Sequence, residues 1–66
     1  MEQLIEDLLR TEARWMTINE IMFILVILDE DYHKVYNILN STESKLATRV
    51  SKDKHTIPNR YLYTGQ

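Results

Sequence analysis

Apolar residues in the first stretch of the chain fall at Leu4, Ile5, Leu8 and Leu9, with Ala13 next on that side, while Glu2, Glu6, Arg10 and Arg14 take the other side. This spacing of i, i+1, i+4 and i+5 predicts an amphipathic helix over about residues 2–14. Glu6 and Arg10 stand four apart in the favourable order, which adds roughly a few tenths of a kcal/mol to an exposed helix. Trp15 and Met16 interrupt the pattern. Thr17 then reads as an N-cap, and Glu20 three residues on completes a capping box, in which each side chain accepts the other residue's backbone N–H. The second helix is expected from Ile18 to about Leu28. Ile21, Ile24 or Leu25, and Leu28 form one stripe on it, and Met22, Phe23, Val26 and Ile27 occupy most of the remainder. A helix apolar on most of its surface must be buried on most of it.

Asp29, Glu30 and Asp31 end the apolar run. Asp29 is a candidate N-cap, and acids in a first turn suit the positive end of the helix dipole. Tyr32, Val35, Tyr36 and Leu39, with Ile38 beside them, predict a third helix over about residues 30–44, fading where Asn40 to Ser44 lower helix propensity. After Lys45 the period changes. Leu46 to Val50 reads as one strand and Arg60 to Thr64 as a second, with Ser51 to Asn59 as a long loop and Pro58 confined to a strand entrance or edge. Gly65 and Gln66 are expected to fray. The fold class expected is α+β, mainly α, a single domain over residues 1–66 with three helices and then a two-stranded hairpin over about 46–64.

Sixty-six residues hold one domain with a marginal core, and the chain has no cysteine to staple it. Close packing or self-association must supply the rest. The longest apolar run, Ile21 to Leu28, is eight residues, against the roughly 20 that span a bilayer. No basic segment precedes an apolar one at the start, so no signal peptide is read, and no membrane partner is expected. The expected location is the cytoplasm. Charge divides the chain. Residues 1–42 hold eight acids and three bases, a net −5, whereas residues 43–66 hold five bases and two acids, a net +3. A basic tail on an acidic body is informative about partners.

Three segments carry a family likeness: Met16-Thr17-Ile18-Asn19-Glu20-Ile21, Val35-Tyr36-Asn37-Ile38-Leu39, and Glu43 to Arg49 with the later Arg60-Tyr61-Leu62-Tyr63. In the order helix, helix, helix, hairpin they resemble the winged helix-turn-helix superfamily over about residues 15–63. The first resembles the opening of the family's second helix, the second the middle of its recognition helix, the third the two arms of its wing. The resemblance implies a winged helix and a DNA-binding regulator. Where the family commonly has glycine in the turn before the recognition helix, this chain has Leu28-Asp29-Glu30, and its third helix opens on acids.

On that reading His33, Lys34 and Asn37, with Asn40 beyond them, are the groove-facing candidates of helix three, because asparagine pairs bidentately with adenine and lysine reaches guanine or phosphate. Otherwise they are one solvated helix face. Arg49, Lys52, Lys54, His55 and Arg60 make a basic wing for minor groove or backbone, or an ordinary solvated hairpin. Acids at 29–31 work against the phosphate attraction that dominates affinity. Trp15, Tyr32 and Tyr36 are expected in the core. Of Tyr61 and Tyr63 against Arg60 and Leu62, one set faces outward, and the pattern does not say which.

Surplus apolar surface suggests a homodimer through Leu4, Leu8, Met22, Phe23, Val26 and Ile27. No enzyme is expected. No serine or threonine pairs with a histidine base, and a single glycine builds no phosphate loop. Asp29 and His33 are spaced for a weak metal contact, but a genuine site needs more ligands, so no metal or cofactor is expected. Two functions compete: a small DNA-binding transcriptional regulator, of a size that suits a virus or phage and would then work in the host-cell cytoplasm, or a protein-interaction module that binds another regulator or a polymerase through its acidic and apolar helices and has no DNA partner.

Overall fold

In a computed structural model, which describes residues 1–65, the elements run α1 (Glu2–Glu12), β1 (Met16–Thr17), α2 (Ile18–Leu25), a 3-10 turn (Asp29–Asp31), α3 (Tyr32–Asn40), a second 3-10 turn (Leu46–Arg49), β2 (Val50–Asp53) and β3 (Arg60–Tyr63). The three predicted helices are present, and each stops short of its expected end. α1 stops at Glu12 because Ala13 turns left-handed, with φ 51°, and donates its N–H to the Leu9 carbonyl. α3 stops at Asn40, where Ser41 returns to extended backbone and donates to the Asn37 carbonyl.

α2 begins as the residue pattern predicts. Thr17 Oγ1 accepts the Glu20 N–H at 3.1 Å, and Glu20 Oε1 accepts the Thr17 N–H at 3.0 Å. Arg14 braces the same carboxylate from outside, at 3.3 Å. The helix ends three residues early, at Leu25 rather than Leu28. Val26 has φ 56°, its N–H reaches the Phe23 carbonyl, and Ile27 N–H reaches the Met22 carbonyl at 2.8 Å. These two bonds form a Schellman motif, and the accompanying contact returns Ile27 to the core over Met22. Such an end ordinarily takes glycine. A β-branched residue held there is strained, since left-handed backbone costs an L-residue about 1–2 kcal/mol.

The hairpin differs from expectation in three ways, the first being that its leading strand is Val50–Asp53, so that Ser51, Lys52 and Asp53 belong to a strand and not to the expected loop. Leu46 to Arg49 is a 3-10 turn rather than a strand. Ser44 Oγ donates to the Ile38 carbonyl at 2.6 Å, and Thr48 Oγ1 donates to the Lys45 carbonyl at 2.7 Å. These local bonds compete with strand formation, and they seat Leu46 fully buried beneath α3. The sheet has three strands rather than two, antiparallel, in the order β1-β3-β2. Met16 pairs with Tyr61 and Thr17 with Arg60, while Val50 to Asp53 pair with Tyr63 to Arg60 in reverse order.

Directly opposed residues share a face of the sheet. Met16, Val50, Lys52, Tyr61 and Tyr63 therefore lie on the inner face, and Thr17, Ser51, Asp53, Arg60 and Leu62 on the outer. The open choice between the two sets of side chains is settled in favour of the tyrosines facing inward. The core gathers Ile5 and Leu9 from α1, Met16 from β1, Ile18, Ile21 and Met22 from α2, Val35 and Leu39 from α3, then Leu46 and Tyr61. Three aromatics expected there lie outside it. Trp15, Tyr32 and Tyr36 are each more than a third exposed, because Tyr61 and Met16 already fill the volume between sheet and helices. Gly65 does not fray. Its N–H donates to the Arg49 carbonyl at 2.8 Å, and a Cβ there would lie 2.5 Å from Arg49 Cβ. Gln66 lies outside the described residues.

Among the described residues no helix is long and apolar enough to cross a membrane.

Candidate nucleic-acid interface

α3 buries Val35 and Leu39 on one side and leaves His33, Lys34 and Asn37 exposed on the other, as a 3.6-residue period requires. Asn40, one turn further on, points inward instead. Its amide donates to the Tyr61 hydroxyl at 3.0 Å and to the Tyr36 carbonyl at 2.9 Å, so it locks α3 to β3 and leaves the groove-facing set. Burial raises the Tyr61 hydroxyl above its ordinary pKa, partly offset by the Asn40 bond.

The basic candidates divide by whether a carboxylate already neutralises them. Lys34 lies 3.4 Å from Asp31, one turn behind it on the helix. Arg49 reaches the buried carboxylate of Glu6 at 3.5 Å and so ties the second 3-10 turn to α1. Arg60 binds Asp53 across the hairpin at 2.8 Å and lies 5.9 Å from the centre of the Trp15 ring, and its Nε is buried with no acceptor. The Arg60 bond, and after it the His55 N–H, hold the Asp53 carboxyl below the usual carboxylate range. Arg49 and Arg60 are thus structural cations that pin the ends of the hairpin.

Lys52, Lys54 and His55 remain. Among the described residues none of them enters an ion pair, and neither does Lys45 at the start of the second 3-10 turn. Lys52 sits opposite Tyr61 on the inner face of an edge strand and is half-buried. Lys54 and His55 extend from the loop beyond. A narrow cleft separates loop and helix, lined by Tyr32 and Tyr36 from α3, Pro58 and Asn59 from the loop, and Ile18, Asn19 and Tyr61 behind, with a volume of about 80 Å³. It admits a water or a side-chain tip and is too small for a metabolite. The exposed tyrosines, which the helical spacing alone assigned to the core, thus face the loop. Only the packing of the loop beside α3 reveals this.

Acids crowd the amino end of α3. Asp29 and Glu30 are exposed there, with Asp31 committed to Lys34. Among the described residues no three His, Cys, Asp or Glu side chains come together as a metal site. The homodimer candidates also separate. Met22 is buried and Leu8 and Ile27 pack against the core, whereas Leu4, Phe23 and Val26 are exposed. Compared with protein-family models, with curated proteins and with solved structures, the chain finds no match in any of the three.

Proposed function

We propose that the chain is a winged-helix regulator that binds double-stranded DNA with the loop of its hairpin and the polar face of α3. One observation carries the reading. Every arginine, and Lys34, has a carboxylate within 4.0 Å, while the cations without such a partner among the described residues, Lys45, Lys52 and Lys54, all belong to the stretch that runs from the cap of the second 3-10 turn into the hairpin loop. Unpaired lysines release counterions from phosphate without first breaking an internal salt bridge. The element order, with β1 closing against β3 beside a hairpin, supports the winged-helix assignment.

In this reading Lys52, Lys54 and His55 grip the backbone, and Asn37, with His33 beside it, reads base edges. Asp29 and Glu30 hold the amino end of α3 away from phosphate, so affinity rests on the loop. Fluorescence anisotropy with random-sequence duplex at low and physiological salt tests it. Micromolar, salt-dependent binding is expected. Lys52→Glu with Lys54→Glu should weaken it at least ~10-fold on every sequence and reduce the salt slope by about 2. Asn37→Ala should instead change sequence preference. Absence of binding at low salt would sink the reading. It would leave a protein-interaction module, which the acidic amino end of α3 and the apolar surface of α2 favour.

A further inference from the structure

The end of α2 presents an apolar groove that the core does not use. Phe23 is 86% exposed, Val26 82% and Leu28 62%, and with Met22 and Ile27 as a floor they line an open depression of about 560 Å³. Val26 sits there in the left-handed conformation, where glycine would relieve the strain, yet the position keeps an apolar side chain turned to solvent. A strained residue of this kind points to a use for the side chain. The rim is acidic. Asp29 lines the groove, Glu30 is exposed next to it, and neither meets a cation among the described residues.

The complementary piece lies on the same chain. Ile57, in the hairpin loop, is 100% exposed, and Lys54 in that loop has no ion-pair partner among the described residues. Loop and groove are neighbours: Asn19 lines the groove and also the cleft that Pro58 and Asn59 border. We propose that this face is a two-fold interface between copies of the chain, in which Ile57 of each copy enters the Phe23–Val26–Leu28 groove of the other and Lys54 meets Asp29 and Glu30 at its rim.

Because loop and groove share one face, a two-fold axis near Asn19 makes both contacts at once and closes the assembly as a dimer. A contact through α2 alone would leave the acidic rim without counter-charge, whereas the loop supplies an aliphatic anchor and a cation together. This inference stands independently of DNA binding. Since Lys54 serves both surfaces, DNA and the second copy exclude each other at the loop.

Sedimentation velocity on the full chain, without DNA, tests it. The wild type should form a concentration-dependent dimer. Ile57→Asp and Phe23→Asp should each weaken it at least ~10-fold in Kd with unchanged circular dichroism, because both residues are exposed. Lys54→Glu and Asp29→Lys should each weaken it too, and the double exchange Asp29→Lys with Lys54→Glu should restore it by inverting the pair. A monomer at every concentration, a dimer indifferent to Ile57→Asp, or a double exchange no better than its parents would each overturn the proposal. DNA titrations are read separately, so failure of either reading leaves the other intact.

Discussion

The two ends of α2 are built on opposite principles. At its start Thr17 and Glu20 cap one another, Arg14 braces the carboxylate, and Ile18 and Ile21 go straight into the core. Local preference and tertiary packing agree there. At its end Val26 takes a conformation that suits glycine, while Phe23 and Val26 stand in water. The intrinsic preference of valine does not favour that ending. The Schellman bonds and the return of Ile27 to the core impose it. One end of the helix is consistent across levels and the other carries a conflict, which is where function is to be sought.

The contrast is sharpest in side-chain truncations, measured by urea unfolding at concentrations where the chain is monomeric. Ile21→Ala should cost about 2–4 kcal/mol through lost transfer energy and the cavity left behind. Phe23→Ala, two residues along the same helix, should change stability by less than ~0.5 kcal/mol. Equal losses would mean that Phe23 is buried in solution and that the apolar groove does not exist.

Cap substitutions should move stability in opposite directions. Val26→Gly should gain about 1 kcal/mol by relieving left-handed strain, net of glycine's greater freedom in the unfolded chain. Thr17→Ala should lose about 1 kcal/mol with the capping box. A loss on Val26→Gly would show the strained end to be supported by contacts of the valine side chain within the monomer.

The smallest effect is in the acid limb. Bonding from the Thr17 N–H, and then from Arg14, lowers the Glu20 pKa below its usual 4.5. The folded value lies beneath the unfolded one, so this contribution is fully present above about pH 4.5 and disappears as pH falls through the folded value. Thermal melts from pH 6 downward should lose less stability in Glu20→Gln than in the wild type. Parallel curves would mean that the carboxylate is not bonded in solution.

Much of the architecture was legible because it rests on neighbours in sequence. The apolar spacing of Ile5 and Leu9, of Ile18 and Ile21, and of Val35 and Leu39 marks three helices, and the Thr17–Glu20 spacing marks a helix start to the residue. What escaped depends on distant partners. Met16 and Thr17 form a strand only because β3 runs beside them. Leu46 to Val50 has strand composition, but Leu46 to Arg49 forms a 3-10 segment that buries Leu46 in the core, and only Val50 enters a strand. Of the basic candidates, Arg49 and Arg60 looked equivalent to Lys52 and Lys54 in sequence. Only folding brought Glu6 to one arginine and aligned Asp53 with the other.

The sequence by itself determined three helices, the capped start of α2, an aromatic-rich last strand and an acidic body with a basic tail. Periodicity, capping and net charge are local or additive properties, so they can be read without knowing the fold. Tertiary structure alone decided the third strand, the left-handed exits at Ala13 and Val26, the inward face of Tyr61, and which cations remain available to a partner. The third strand, the inward face of Tyr61 and the free cations depend on residues far apart in sequence, and the two helix exits, though closed by local bonds, take residues with no preference for left-handed backbone, so their conformation is settled only when the chain is packed.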